Sequence, residues 1–258
     1  MDLIQRAAKD LLTSRWAIAL TGAGISVESG IPDFRSEGGL WSRFDPMEYA
    51  HIEAFHRNPE KVWEMLREVI PLTSRAKPNP AHYALAELES MGILKAVVTQ
   101  NVDGLHQRAG SRVVIEYHGN HDWLLCLNCG FKRATSEADL EGPPPRCPHC
   151  KAVLKPDVVF FGEPIPLEAQ RRALEEAKRC DLMLVIGTSA VVYPAADLPR
   201  IAKGRGAKVI EVNKEPTVLT GVVSDYLLQG KAGEILPKVL EEVKKLKDEG
   251  RKEDHSLS

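Results

Sequence analysis

Two pairs of cysteines restrict the fold of this 258-residue chain more than any other feature of its sequence. Cys126 and Cys129 form the first pair, Cys147 and Cys150 form the second, and 17 residues separate the pairs. Each Cys-x-x-Cys can turn two thiolates towards one metal ion, and two pairs complete a closed tetrahedral set. A closed four-thiolate site has no open position for water, so we expect one structural zinc ion here. The alternative is four unrelated free cysteines, which this spacing disfavours.

The composition is that of an ordinary soluble globular protein. Hydrophobic residues make up 43% of the chain and charged residues 27%, and the formal net charge of −2 disfavours a general nucleic-acid binder. No secretory signal begins the chain, and no apolar run approaches the roughly 20 residues that span a bilayer. We therefore expect a cytoplasmic protein with no membrane partner and no direct nucleic-acid binding.

Short apolar runs alternate with amphipathic segments along most of the chain. Such alternation predicts a mostly parallel sheet with helices on both faces, in which ligands bind beyond the carboxyl ends of the strands. The predicted strands cover 16–20, 94–99, 113–117, 182–187, 208–212 and 226–228, and the clearest helices cover 2–14, 81–91 and 167–179.

Two stretches interrupt this alternation, at about 31–80 and 123–154. The first is rich in aromatic residues, prolines and charges, and the second contains both cysteine pairs. We predict that together they form a smaller module inserted into the sheet domain. The sheet domain would then consist of about 1–30, 81–122 and 155–250, followed by a disordered tail at 251–258.

A glycine turn follows the first predicted strand. Gly22-Ala23-Gly24 leads towards a helix expected near Ser26, so backbone amides and the helix dipole could bind a pyrophosphate. The third glycine of the usual dinucleotide fingerprint is replaced by Val27, and a plain tight turn would be nearly as good a reading. Asn213, at the end of another strand, strengthens the nucleotide reading because its side chain could hold a ribose hydroxyl.

Polar residues follow three other predicted strands. The first set lies at 99–106 and the second at 116–119, and an amide, a carboxylate and an imidazole at neighbouring strand ends could form one active site. His118 could act as a general base at neutral pH, and Asp103 could hold a polar group such as an amide. For a single histidine in isolation a structural role is the more common one. The third set, Gly187-Thr188-Ser189, is small enough to admit a ligand closely.

Together these motifs resemble the sirtuins, a family of NAD-dependent protein deacylases. Each motif alone is weak, but the ordered set is specific and runs from about Leu11 to Val243. The matching segments are 22–26, 30–35, 99–106, 118–119, the two cysteine pairs, 155–163, 187–189, 192–195 and 231–233.

The resemblance implies an α/β fold with a Rossmann-like sheet domain and a smaller zinc-ribbon and helical module. It also implies that His118 is the catalytic base and that Asn101 and Asp103 line the pocket for nicotinamide and its ribose. Phe34 would shield the reacting face, and position 102 is Val where Ile is more usual. The positions that match NAD contacts are Gly22, Ala23, Gly24, Val27, Asp33, Phe34, Arg35, Gln100, Asn101, Val102, Asp103, His118, Gly187, Thr188, Ser189, Asn213, Lys231 and Ala232.

A second set of positions matches the family's peptide groove, in which the substrate peptide adds as a strand. The implied partner is an acetylated lysine in a protein or peptide, and a DNA-associated protein could be such a substrate. The groove positions are Val158, Val159, Phe160, Phe161, Gly162, Glu163 and Val192.

The implied reaction consumes NAD and gives free lysine, nicotinamide and O-acetyl-ADP-ribose. Relatives that prefer acidic acyl groups carry Tyr and Arg where this chain has Leu66 and Val69, so we expect acetyl or other neutral acyl groups. Arg67 is adjacent to Leu66, so a shift of the alignment by one residue would place a cation at this position. Three alternatives are mono-ADP-ribosyl transfer from the same pocket, an NAD-linked dehydrogenase and a catalytically silent binding module.

Overall fold

The computed structural model describes residues 2–256 and contains two β-sheets. The strands are β1 (Ala17–Thr21), β2 (Leu94–Thr99), β3 (Val114–Glu116), β4 (Gly119–Leu125), β5 (Lys132–Ala134), β6 (Lys155–Val158), β7 (Leu182–Ile186), β8 (Lys208–Asn213) and β9 (Tyr226–Gln229). In the larger sheet, six parallel strands lie in the order β3-β2-β1-β7-β8-β9. The smaller sheet is antiparallel, in the order β5-β4-β6.

The central strands of the larger sheet are buried along their whole length. Every residue of β1 and β7 is buried, because helices cover both faces of the sheet. This is why these segments read as continuous apolar runs rather than alternating ones. The helices of the described residues are α1 (Leu3–Thr13), α2 (Pro46–Tyr49), α3 (Ile52–Arg57), α4 (Pro59–Arg75), α5 (Pro80–Ser90), α6 (Leu105–Arg108), α7 (Leu167–Arg179), α8 (Leu198–Gly204) and α9 (Ala232–Ser256).

Two apolar clusters sandwich the larger sheet. Helices α1, α5 and α9 supply one cluster through residues such as Leu11, Leu85 and Leu236. Helices α7 and α8 supply the other through small residues such as Ala173 and Ala202. The predicted Rossmann-like α/β architecture is therefore confirmed.

A third apolar cluster lies outside the larger sheet. It joins α2–α4 to the smaller sheet and its cysteine loops, and we call this assembly the cysteine-bearing unit. Its centre is Trp63 of α4, which is fully buried and whose Nε1 donates to the carbonyl of Leu154 at 3.0 Å. Thus one side chain ties the helical stretch to the cysteine-bearing stretch, although the two are far apart in sequence.

The structure differs from the sequence predictions in three places. The helix expected near Ser26 is absent: two short 3₁₀ turns, Ala23–Ile25 and Val27–Ser29, occupy this loop and end at Gly30, whose φ is +86°. Helix α9 continues to Ser256, through most of the tail predicted to be disordered, and 257–258 lie outside the described residues. Strands β4 and β6 pair with each other in the smaller sheet, although the predicted boundaries assign the start of β4 and all of β6 to the sheet domain. The domain boundaries themselves stay a prediction.

Among residues 2–256, no helix is both long enough and apolar enough to cross a membrane.

Candidate active site

A cleft of about 1060 Å³ lies at the carboxyl ends of β1, β2, β7 and β8 and extends to the cysteine-bearing unit. This is the edge at which ligands bind in open α/β sheets. Of the positions proposed for NAD and peptide, every one except Asp103 lines this cleft. The lining residues from that set are Gly22, Ala23, Gly24, Val27, Asp33, Phe34, Arg35, Gln100, Asn101, Val102, His118, Val158, Val159, Phe160, Phe161, Gly162, Glu163, Gly187, Thr188, Ser189, Val192, Asn213, Lys231 and Ala232.

The glycines at the end of β1 allow two loops to pack against each other. A Cβ on Gly22 would lie 2.7 Å from Cβ of Thr188, and one on Gly24 would lie 2.7 Å from Cα of Gly187. Gly187 itself has a φ of +58° and touches the β1 loop in return. Glycine is therefore required at these positions because the two loops pack closely. Since 3₁₀ turns follow in place of the expected helix, this loop lacks the helix dipole that was predicted to bind a pyrophosphate.

A small hydrogen-bond network joins the ends of β2, β7 and β8. Gln100 Nε2 donates to Oγ1 of Thr188 at 3.1 Å, and Asn213 Nδ2 donates to the carbonyl of Thr188 at 3.1 Å. Asn213 Oδ1 in turn accepts from the amide of Lys214 at 2.9 Å. These bonds hold polar side chains from three strand ends in place along the cleft.

His118 follows β3 and presents its imidazole to the cleft. Its Nδ1 lies 3.0 Å from the carbonyl oxygen of Gln100, and because a carbonyl can only accept, Nδ1 carries the proton. Nε2 is therefore the unprotonated nitrogen. Burial lowers the pKa of His118 below its ordinary 6.5, more than the bond to Gln100 raises it. At neutral pH the side chain is a neutral base.

Asn101 and Asp103 meet at the hydroxyl of Ser26. Asn101 Nδ2 donates to Oγ of Ser26 and to the carbonyl of Gly22, both at 3.1 Å. Ser26 Oγ donates to Oδ2 of Asp103 at 2.7 Å, and Oδ1 of Asp103 accepts from the amide of Leu105 at 2.9 Å. The carboxylate of Asp103 thus lies behind the cleft surface and orients Ser26, whereas Asn101 faces the cleft. A contact from Asp103 to nicotinamide stays a prediction.

The loop after the β1 turn folds around Asp33. Its carboxylate accepts from the amides of Arg35 and Ser36 at 3.0 and 2.8 Å. Burial would raise the pKa of Asp33, but the hydrogen bonds from Ser36 and Arg35 outweigh it and the pKa is lowered. The loop therefore carries a fixed negative charge at its base at neutral pH.

Aromatic rings line the outer edge of the cleft. Phe34 stacks on Trp41, with ring centroids 5.0 Å apart, and Trp41 lies 6.2 Å from the ring of Phe161. These rings connect the loop after β1 with the proposed peptide segment. Trp41 was missed by the sequence analysis, and its spacing from Phe34 gave no signal, because the loop between them has no regular period.

The part of the cleft that α4 lines is apolar. Leu66 and Val69 both line it, together with Met65 and Ile70 of the same helix. Arg67 does not join them, because its Nη2 donates to the carbonyl of Gly142 at 2.9 Å. No cation of α4 therefore lies among the lining residues that the structure describes.

The segment 158–163 lines the cleft and runs from β6 of the smaller sheet, and it packs partly against the core of the cysteine-bearing unit. The amide of Val159 donates to the carbonyl of His118 at 2.9 Å, and Phe161 forms an isolated parallel bridge with His51. The amides of Phe160 and Glu163 also donate within the chain. A peptide strand added here would have to pair through the other backbone groups, and this groove stays a prediction.

The four cysteines form the metal-binding cluster that their spacing predicted. Their sulfur atoms all lie within 4.8 Å of one another, and individual Sγ–Sγ distances are 3.3, 3.5 and 3.8 Å. Four thiolates at about 2.3 Å from a tetrahedral zinc ion stand about 3.8 Å apart. The four sulfurs are thus positioned to bind one zinc ion.

Several lining residues were missed by the sequence analysis. Glu28 accepts from the amide of Gly233 at 2.7 Å and so joins the β1 loop to the start of α9. His121 also lines the cleft, and its Nε2 lies 2.5 Å from Oγ1 of Thr73. Its position close to His118 in the sequence was the one signal that could have identified it. The segment 214–217, which follows Asn213, lines the cleft as well, but nothing in its sequence indicated this.

The fold and the cleft define an α/β dinucleotide-binding protein with an inserted four-cysteine unit. The Sir2 family pattern matches residues 22–194. The NAD-dependent protein deacylase 2 of Archaeoglobus fulgidus is 54% identical over 252 residues, covering 96% of this chain and 99% of that protein. The NAD-dependent protein deacylase of Pyrococcus abyssi is 51% identical over 249 residues, covering 95% and 99%. This chain therefore belongs to the Sir2 family.

Solved structures agree with this assignment. A Sir2 homolog–NAD complex has a TM-score of 0.89 at 46% identity and covers 95% of each chain. Sir2Af2 bound to a myristoylated histone peptide has a TM-score of 0.82 at 50% identity, covering 95% of this chain and 98% of that one.

Proposed function

We propose that this chain is an NAD-dependent protein lysine deacetylase that gives free lysine, nicotinamide and O-acetyl-ADP-ribose. The observation that carries the proposal is the cleft at the strand ends, where the unprotonated Nε2 of His118 is flanked by the loops proposed for NAD. The names of the relatives, which are NAD-dependent protein deacylases and deacetylases, support the same reaction.

Three polar residues at the strand ends have different proposed roles in the reaction. His118 takes a proton from a ribose hydroxyl, because its lowered pKa keeps the imidazole neutral at pH 7. Asn101 holds nicotinamide and its ribose, and Asp103 positions Asn101 through Ser26. When bound, NAD supplies a ribose carbon that the acyl oxygen of the modified lysine can attack as nicotinamide leaves.

The apolar walls of the cleft are suited to a reaction in which water would compete as a nucleophile. Phe34, Val159 and Phe160 contribute apolar surface to the same cleft that His118 lines. An electron-poor ribose carbon reacts with any nucleophile within reach, so apolar walls that exclude water favour the acyl oxygen. The same surface accepts a neutral acyl-lysine more readily than a charged lysine.

The acyl group is proposed to be neutral, and longer chains are a second candidate. Leu66 and Val69 offer no hydrogen bond or positive charge to a carboxylate, and Met65 and Ile70 extend the apolar wall. The relative bound to a myristoylated histone peptide favours a channel that takes long acyl chains. For one peptide carrying acetyl, myristoyl or succinyl on the same lysine, we expect turnover of the first two and at least about 100-fold less of the third. Preferred removal of succinyl would contradict this assignment.

The named relatives favour deacylation over the two other enzymatic alternatives. Mono-ADP-ribosyl transfer would use the same pocket with another acceptor. Reduction of the nicotinamide ring, as in a dehydrogenase, would leave NAD intact as its reduced form. Deacylation differs from dehydrogenation because it releases nicotinamide, and it differs from both alternatives because it places the acyl group on ADP-ribose.

The decisive experiment incubates the protein with NAD and an acetyl-lysine peptide and weighs the products. We expect a peptide lighter by one acetyl group and a new mass for O-acetyl-ADP-ribose. ADP-ribose attached to the peptide would instead favour the transferase alternative, and an unchanged peptide and NAD would contradict the proposal.

The partner proposed for this site is an acetylated protein or peptide. Peptide recognition through backbone pairing tolerates many sequences, so a DNA-associated protein is compatible with it. Location in the cytoplasm also stays a proposal, supported by four cysteines arranged as metal ligands, which a reducing compartment keeps as thiols.

A further inference from the structure

Lys155 is a charged residue that the proposed reaction does not use, and its side chain is only 3% exposed. It begins β6, whose last residue, Val158, also begins the segment 158–163 that lines the cleft. Its Nζ lies 2.9 Å from Oε2 of Glu163, whose side chain is also largely buried. Removing an ammonium group from water is costly, so a buried lysine is retained only where its partners satisfy it.

The partners of Lys155 all belong to the cleft wall. Nζ donates to the carbonyls of Val158 at 2.5 Å and Pro156 at 3.1 Å, and it lies 4.3 Å from the ring centroid of Phe160. Each contact therefore fixes a different point between the strand and the turn that follows it.

Glu163 fastens the far end of the same turn. Its Oε2 accepts from the amide of Phe160 at 2.7 Å, and its own amide donates to the carbonyl of Phe160 at 3.0 Å. The carboxylate thus serves both the ammonium of Lys155 and a backbone amide. Charge-assisted hydrogen bonds of this kind are stronger than neutral ones and hold geometry closely.

The turn is also bonded to the backbone of His118, the residue proposed to act as base. The amide of Val159 donates to the backbone carbonyl of His118, and the next residue, Phe160, is the one held by Glu163. A shift of the segment would therefore move both the wall of the cleft and the backbone of His118.

We infer that Lys155 and Glu163 are positioning residues whose buried ion pair holds the segment 158–163 in the shape that receives the acylated lysine. This inference rests on the proposed function, because it assigns the segment to the peptide substrate. Neither side chain takes part in proton transfer or in binding NAD.

The test compares Lys155→Met with Lys132→Met. The first variant keeps the apolar stem and removes the buried ammonium, while the second breaks an exposed ion pair with Asp157 on the same sheet. For Lys155→Met we expect the KM for an acetylated peptide to rise at least about tenfold, with the KM for NAD within about twofold of the original. For Lys132→Met we expect both values within about twofold.

A purely structural role would reduce the amount of active protein and leave both KM values unchanged. A Lys155→Met protein with its normal zinc content and an unchanged peptide KM therefore overturns the inference. An equal rise in the KM values of peptide and NAD overturns it as well, because it shows a general loosening of the cleft.

If Lys155→Met does not fold, Glu163→Gln tests the positioning role of the ion pair. The amide oxygen of Gln can still accept from Phe160, and Lys155 keeps its bonds to the carbonyls of Pro156 and Val158, so the variant removes the negative charge while these hydrogen bonds remain available. We expect the peptide KM to rise about threefold or more, with the KM for NAD unchanged. An unchanged peptide KM in this variant overturns the inference.

Assays of the unsubstituted protein distinguish failure of the proposed function from failure of this inference. If that protein does not deacetylate any peptide, amide hydrogen exchange tests the ion pair without a substrate. We expect exchange at Val159 and Phe160 to be at least about tenfold faster in Glu163→Gln than in Lys132→Met, since the neutral amide oxygen of Gln accepts a weaker hydrogen bond from Phe160 than the carboxylate does and no longer pairs with the charge of Lys155. Equal exchange in the two variants contradicts the role of the pair.

Discussion

The six-stranded sheet is enclosed by two apolar clusters drawn from helices on both of its faces. The cysteine-bearing unit has one cluster, and two members of that cluster, Cys126 and Cys147, are themselves proposed zinc ligands. The larger sheet is therefore stabilised by apolar packing on both faces in addition to its strand pairing, whereas the core of the smaller unit includes cysteines that are proposed to bind its metal. Metal binding adds folding free energy where the apolar core is small.

The cleft depends on both regions at once. The strand ends contribute His118 and Asn101, while α4 contributes Leu66 and Val69. A perturbation of either region should therefore reach the site, but by a different route. The following predictions test that difference, beginning with the largest expected effect.

The largest effect is expected for Cys126→Ser. Loss of one thiolate opens the closed site, so the cysteine-bearing unit loses metal, stability and its part of the cleft wall. Deacetylase activity should fall by about two orders of magnitude or more, together with the zinc content and the melting temperature. Cys180→Ala is the matched control, because Cys180 is a buried cysteine in the sheet clusters. Unchanged zinc content and melting temperature in Cys126→Ser would contradict the contrast between the regions.

The second effect is confined to the chemistry. His118→Ala should reduce the turnover number by about 10²- to 10⁴-fold, because it removes the base. The free energy of unfolding should change by about 1 kcal/mol or less, since His118 is only partly buried. Steady-state kinetics and thermal unfolding measure the two quantities. Full activity in this variant would exclude His118 as the base.

The third effect separates the two cores. Trp63→Ala should cost about 3–5 kcal/mol in the free energy of unfolding and weaken zinc retention, because Trp63 also holds the carbonyl of Leu154. Leu85→Ala in the sheet should cost about 2–5 kcal/mol and leave zinc retention unchanged. Denaturant titration with and without a chelator measures both. If both variants lose zinc equally, the two cores are one cooperative unit.

The smallest effect is a shift of the pH profile. The pKa of His118 lies below 6.5 in the folded protein, so its base form predominates at neutral pH and is lost as the pH falls through that lower value. We expect kcat/KM to decline only below about pH 6.5. Zinc content must be followed in parallel, since protonated cysteines release metal. A decline centred above pH 6.5 with full zinc content would contradict the effect of burial on His118.

The strands and the cysteine site could be predicted because their signals are local. The run 182–187 is continuous and apolar, and it becomes β7 because both faces of that strand are covered. The β1 loop could not be predicted in the same way. Gly22 and Gly24 indicated a turn, but only the approach of the loop at Gly187 and Thr188 explains why a Cβ is excluded there. The short 3₁₀ turns that follow were not predicted either.

The sequence also left the surroundings of single residues undefined. It identified Asp103 as a polar group near the strand ends, yet the carboxylate faces Ser26 behind the cleft. It placed Lys155 in a family motif without showing that this ammonium is buried against Glu163. Such facts depend on contacts between residues distant in sequence or on the direction of a turn, and neither follows from residue spacing.

By itself, the sequence determined the alternation of strands and helices, the four-thiolate site and the set of residues that meet at the strand ends. Those features depend on short-range spacing and on the rule that parallel strands end at one edge. Only the tertiary structure decided which polar atoms face the cleft, which orient others, and where a charge could be buried, because burial and hydrogen-bond partners are set by packing between distant segments.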